Sequence, residues 1–176
     1  MDKLLSFAIP CYNSAEYMEH CINTVIAGGD EVEVIIVDDG STKDNTYEIA
    51  KRYEQEYPEI VKAVHQENGG HGDAVNTGLK HATGKFFKVV DSDDWVNPEA
   101  YQKILNVLAE VVRGPKTLDL LISNYVYEKE GAKRKRVMRY AKSLPEGRFF
   151  GWDEAKALGK THYLLMHSLL YRTSLL

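Results

Sequence analysis

EVEVIIV, residues 31 to 37, runs without a break into the acids and turn residues DDGSTKDN, residues 38 to 45. The first run is dense in β-branched side chains and loses its polar alternation towards its end, which is the pattern of a strand covered on both faces. Strands of that kind belong to parallel sheets, and parallel strands need long crossover connections, usually helical. The sequence on either side supplies them.

On the N-terminal side, LLSFAI (4 to 9) reads as a first strand. After PCYN, Ser14 is expected to cap a helix whose apolar face is Met18, Cys21, Ile22 and Val25, closed by Gly28 and Gly29. On the C-terminal side a helix is expected from about Asp44, with Thr46, Ile49, Ala50 and Tyr53 on one face, and IVKAVH (60 to 65) as a third strand. Val75, Gly78, Leu79 and Ala82 mark one side of a third helix, small enough to lie close on a sheet, and KFFKVV (85 to 90) is a fourth strand. Asn97, Pro98 and Glu99 then give an N-cap, a first-turn proline and a dipole-complementing acid. The helix they start has Tyr101, Ile104, Leu105 and Leu108 as its core face. Repeated strand-then-helix units with right-handed crossovers imply an α/β fold, Rossmann-like, with a mostly parallel sheet and helices on both faces.

After Gly114-Pro115 the texture changes. DLLISNYVYEK (119 to 129) and RKRVMRYA (134 to 141) read as two strands around a turn at Glu130-Gly131, WDEAKAL (152 to 158) as a short helix, and THYLLMHSLLYR (161 to 172) as an apolar strand or buried segment. Residues 1 to 115 therefore form one half and 116 to 176 the start of another, within one domain. The stop at Leu176, straight after an apolar run, gives the expectation of a piece of something longer.

Bulk properties narrow the function classes. With 176 residues and 44% hydrophobic side chains the chain can bury one substantial core. A net charge of -4 and a pI near 5.9 lack the basic field of nucleic-acid binders. Cys11 and Cys21 show neither CxxC spacing nor partners for a zinc cluster, and MDKLLSFAIP has no long apolar leader or cleavage site. No run approaches the roughly 18 apolar residues of a membrane span. These features set the expectation of a cytoplasmic protein, peripheral at most to the inner membrane face.

The polar clusters PCYN (10 to 13), DDGST (38 to 42), ENGGHGD (67 to 73) and DSDD (91 to 94) each follow a strand directly. That places all of them on the C-terminal rim of the sheet, where open α/β folds bind ligands. Taken singly, each is ordinary turn chemistry. Together they put Asp38, Asp39, Asp91, Asp93 and Asp94 on one rim, and so many carboxylates call for a hard divalent cation and for donors from a ligand. Mg²⁺ or Mn²⁺ with the phosphates of a nucleotide fits that need. The turn after the first strand is PCYN where a dinucleotide site has GxGxxG, and there is neither a Walker lysine motif nor the glycine-rich basic loop of a nucleotidyltransferase.

At this point the residues carry a resemblance. FAIPCYNSAEYMEHCINTV, VIIVDDGSTKDNT, NGGHGDAVNTGL and FFKVVDSDDWVNPEAY, in that order, resemble the family 2 glycosyltransferases of the GT-A fold; HSLLYRTSLL resembles a later segment of that family more weakly. The resemblance implies that Pro10, Tyr12 and Asn13 border the nucleotide base and ribose, and that Asp39, with Asp38 beside it, receives the N–H of the base. Asp91 and Asp93 match the D-x-D motif: the first lies near ribose and metal, and the second ligates the metal bridging the diphosphate. Ser92 lies between them in the donor-binding set, and Asp94 fits the extra acid often present. Asn68, Gly70, Asp73 and Asn76 line the donor pocket. The arginine often found just before the position of Asn76 is Val75 here.

The same resemblance implies an inverting transfer from a nucleotide-diphosphate sugar, most readily a UDP-sugar, to a saccharide or lipid-linked acceptor in cell-surface polysaccharide or glycoconjugate synthesis. The family's usual base would fall beyond Leu176, so no catalytic residue is assigned. His162 and His167, in an apolar run, read as hydrogen-bonded core residues rather than substitutes. KRKR (133 to 136) reads as a solvated hairpin flanked by Glu128 and Glu130. Trp95 and Trp152 read as packing residues or sugar platforms. An alternative is a donor-binding module without turnover. A phosphoacceptor receiver domain fits poorly, because His65-Gln66 stands where its phosphorylated aspartate is required.

Overall fold

Leu5–Cys11 forms β1 and Val32–Asp39 forms β2. They pair in parallel, Ala8 opposite Ile35 and Pro10 opposite Val37. β3 (Val61–Gln66) joins β2, and β4 (Phe86–Val89) joins β1, both in parallel. The computed structural model describes residues 2–128, 135–156, 158 and 163–176. They fall into two compact units, one reaching Asp119 and regaining Tyr171–Leu176, the other Leu120–Leu170.

The inner strands are apolar on both faces, and both faces are covered. Ile35 and Val37 share a face with Ala8 and receive α3 (His71–His81) through Ala74 and Gly78. A Cβ on Gly78 would lie 2.5 Å from the Cβ of Ala8, so only glycine lets the helix approach this closely. Phe7 points to the other face, where its ring meets Tyr101 of α4 (Pro98–Arg113) edge-on at 5.6 Å. The Tyr101 hydroxyl donates to the carbonyl of Val25 in α1 (Met18–Ile26), tying the two helices together. α2 (Thr46–Glu56) is joined to α1 by Tyr53, whose hydroxyl donates to Asn23. Leu5, Phe7, Ile9, Ile35 and Ile36 are almost wholly buried, each stabilising the fold by about 1.5–3 kcal/mol on transfer grounds.

Strand order in the first unit is β3-β2-β1-β4, followed by the end of β8 (Leu169–Arg172); β5 (Leu120–Ile122) belongs to the second unit. Within the first unit, Tyr171 and Arg172 of β8 run antiparallel to Phe87 and Phe86. In the second unit β6 (Tyr125–Tyr127) and β7 (Arg136–Met138) form an antiparallel pair.

The apolar faces expected for α1 and α2 are the buried ones, and Asn97 caps α4 by accepting from the N–H of Ala100. Several local expectations differ. Ser14 does not cap a helix: α1 begins at Met18, and the Ser14 hydroxyl turns inward to the loop after β4. Asp44 precedes α2 by two residues and accepts from the N–H of Thr46. The buried side of α3 is Ala74 and Gly78, with Val75 and Leu79 only half-buried, because close approach selects the smallest residues over the most apolar. The run from 119 to 129 splits into β5 and β6, and WDE (152 to 154) makes a single 3₁₀ turn instead of a helix. Glu130-Gly131, Lys133, Arg134 and His162 lie outside the described residues.

Candidate functional site

The loops that leave β1, β2 and β4, together with the start of α3, enclose a cleft of about 410 Å³. Pro10, Tyr12, Asp39, Asn68, Gly70, Asp91, Ser92 and Asp93 line it, as do Ser14 and His71. Pro10, Asp39 and Gly70 arrive from three different elements, so the sheet rim assembles what the sequence scatters.

Asp39 is 3% exposed and heavily engaged. Its carboxylate accepts from the backbone N–H groups of Gly69 (2.9 Å) and Gly70 (2.8 Å) and from the Gln66 amide (2.7 Å). Asn68 donates to the carbonyl of Asp39 at 2.9 Å. The ENGG loop is thus wrapped around one acid, and Gly70, at φ 87°, makes the left-handed turn that opens α3. Ser14 and Ser92 join the first loop to the acidic loop through a 3.0 Å contact between hydroxyls. Tyr12 stands half-exposed at the mouth.

Other expected site residues hold the walls from outside. Asp38 is fully buried, accepting from the N–H of Ser41 and meeting Nδ1 of His65 at 2.6 Å. Asn13, at φ 50°, accepts from the N–H groups of Thr42 and Lys43, clamping the first loop to the second. Asp73 accepts from Gln66, and Asn76 is exposed further along α3; neither lines the cleft.

At the acidic loop, Asp91 and Asp94 bring carboxylate oxygens within 4.8 Å of each other, and Asp93 stands exposed at the cleft wall. Hard carboxylate oxygens converging beside an open cleft fit a divalent cation of the Mg²⁺ or Mn²⁺ type. Two nitrogen groups temper this charge. His71 brings Nε2 to 2.8 Å from Asp91 Oδ1. Lys88, in register with Phe7, is 9% exposed inside β4; burial pulls its ammonium down to about 8, against the upward pull of Asp94 and Asp91. Burial raises the thiols of Cys21 and Cys11; the three acids of the loop add to the effect at Cys21, and Cys21 with Asp38 and Asp44 adds to it at Cys11.

The motif reading passed over both nitrogens. Lys88 interrupts the apolar run FFKVV, and a lysine there is a legible oddity. His71 is the one residue of the four rim clusters, Lys and Arg being absent from them, whose side chain can carry positive charge.

Residues 6–169 match the family described as Glycosyl transferase family 2. The chain belongs to that family.

Relatives and solved structures agree with the membership. This family 2 chain is 41% identical over 107 residues to the glycosyltransferase YibD of Escherichia coli (strain K12), covering 60% of this chain and 30% of YibD. Its fold is that of the GT-A glycosyltransferases: it superposes on S. aureus TarS in complex with UDP-GlcNAc with a TM-score of 0.70 and 27% identity, covering 98% of this chain and 46% of that one. The mannosyltransferase PcManGT from Pyrobaculum calidifontis, in complex with GDP-Man and Mn²⁺, gives a TM-score of 0.56 at 26% identity over 70% of this chain and 36% of the other. The chain spans between 30% and 46% of the length of the curated relatives YibD and EpsH of Bacillus subtilis. Among the described residues no helix is long and apolar enough to cross a membrane.

Proposed function

We propose that this chain is the donor-binding part of an inverting, metal-dependent glycosyltransferase. It takes a nucleotide-diphosphate sugar, a UDP-sugar by preference, and serves transfer to a hydroxyl of a saccharide or lipid-linked acceptor in cell-surface polysaccharide or glycoconjugate synthesis. The observation that carries the reading is the single cleft in which Pro10 and Tyr12, Asp39 and Asn68, and Asp91 and Asp93 meet at the C-terminal rim of the parallel strands. Its support from similarity is the UDP-GlcNAc complex of TarS.

The roles follow from the geometry. Tyr12 and Pro10 offer a flat apolar wall for a base and ribose. The Asp39 carboxylate has about four acceptor positions, and three are filled by Gln66, Gly69 and Gly70. One is left for the N–H of a base, held in fixed orientation by those bonds. Asp91 and Asp93 would hold the divalent cation, with Asp94 adjacent; when bound, such an ion supplies Lewis-acid stabilisation of the departing diphosphate. Asn13, Asp38, Ser92 and Asp73 keep the donor-side loops in place, Asn13 and Asp38 by clamping the loops after β1 and β2, and Asn76 stands further along α3 on the donor side. No residue of the chain is assigned as the base that deprotonates the acceptor.

Isothermal titration of UDP in the presence and absence of Mn²⁺ tests this. Binding is expected only with the metal, and Asp93→Asn is expected to weaken it at least about tenfold, a loss of about 1.4 kcal/mol. Metal-independent binding unaffected by Asp93→Asn would remove the proposed role of the acidic loop.

A further inference from the structure

Among the described residues His71 is the only side chain lining the cleft that can carry positive charge, and Asp39, Asp91 and Asp93 line the same cleft. It is the first residue of the 11-residue helix α3, so its ring sits beside the positive end of the helix dipole. The position further along α3 where the family often carries an arginine is Val75, half-buried and without a polar atom in its side chain. A diphosphate entering a cleft of three carboxylates needs N–H donors in addition to any cation.

We infer that His71 is a donor-binding residue that contacts the diphosphate. This rests on the reading of the cleft as a nucleotide-sugar site. In the structure Nε2 of His71 lies 2.8 Å from Asp91 Oδ1, so the imidazole engages the acid that the donor and its cation are proposed to use. Loading the site takes that oxygen away from the imidazole. The ring is 55% exposed, free to turn about its own side-chain torsions, and its N–H then has a phosphate oxygen within the same cleft as its next acceptor. One side chain thereby has two partners in turn, Asp91 and the diphosphate.

The test compares UDP with uridine, which shares the base and ribose but lacks the phosphates, by calorimetry with Mn²⁺ present throughout. His71→Ala is expected to weaken UDP binding about tenfold while leaving uridine within about twofold, and His71→Gln, which keeps an N–H at similar reach, to restore most of the loss. The exposed ring carries little of the packing, and an unchanged melting temperature checks that the variants fold. Equal losses for UDP and uridine, or no loss for either, would overturn the role of His71 while leaving the nucleotide site standing. Failure of the unaltered chain to bind UDP at all would overturn the site and the role of His71 together.

Discussion

The hydroxyls of Ser14 and Ser92, 78 residues apart in sequence, meet at 3.0 Å beneath the cleft. Ser14 also accepts from the N–H of Tyr12 and donates its own N–H to Thr46. One buried serine therefore sets the first loop, the start of α2 and the acidic loop against each other. Replacing Ser92 by alanine leaves a buried hydroxyl without this partner, and a loss of about 1 kcal/mol in denaturant-derived stability is expected. UDP affinity is expected to fall with it, because Asp91 and Asp93 flank the altered residue; an affinity unchanged at reduced stability would separate the loop's position from its function.

Gly78 tests the packing of α3 on the sheet. Alanine there would bring a Cβ within 2.5 Å of Ala8, a backbone-borne atom in the middle of β1 that has no rotamer to yield. Overpacking of that kind costs about 1–3 kcal/mol, more than alanine's better helix propensity returns. Thermal or chemical unfolding of Gly78→Ala measures it, and a stabilised variant would show that α3 stands further from the sheet.

Lys88 gives a pH dependence with a definite sign. Its folded-state value is depressed to about 8, below the ordinary lysine value of 10.5. Between these values the unfolded chain binds more protons at this group than the folded one, so its contribution to stability rises with pH across that window. The penalty it relieves is fully present below about 8. Lys88→Met removes the titrating group and is expected to flatten this part of the stability profile. Equal slopes for both proteins between pH 8 and 10 would contradict the assignment.

The cysteines make a chemical prediction. Cys11 and Cys21 are both 1% exposed, and burial, reinforced by neighbouring acids, lifts both thiols above their usual range. A thiol that is neither ionised nor accessible does not attack an alkylating reagent. Both are expected to resist iodoacetamide in the native protein at neutral pH and to react after denaturation. Rapid native labelling of Cys11, which borders the cleft, would mean that the floor of the site opens.

Much of this was legible in the sequence, for reasons that particular residues show. Met18, Cys21, Ile22 and Val25 are buried as helical spacing requires, and Asn97-Pro98 starts α4, because those signals are local. The placing of PCYN, DDGST, ENGGHGD and DSDD on one rim followed from each standing directly after a strand of a parallel sheet. The burial of Ala74 in preference to Val75 was not legible, since it depends on the distance between α3 and β1. Nor was the inward turn of Ser14, whose partner is 78 residues away. Lys88 and His71 were visible as oddities, but their tempering of Asp91 and Asp94 needed the fold.

The most direct measurement is anomalous scattering from crystals soaked with Mn²⁺ and UDP. The account predicts a manganese peak bounded by carboxylate oxygens of Asp91 and Asp93, with the uracil against Tyr12 and its N–H directed to Asp39. Manganese bound elsewhere, or UDP lying outside this cleft, would contradict it.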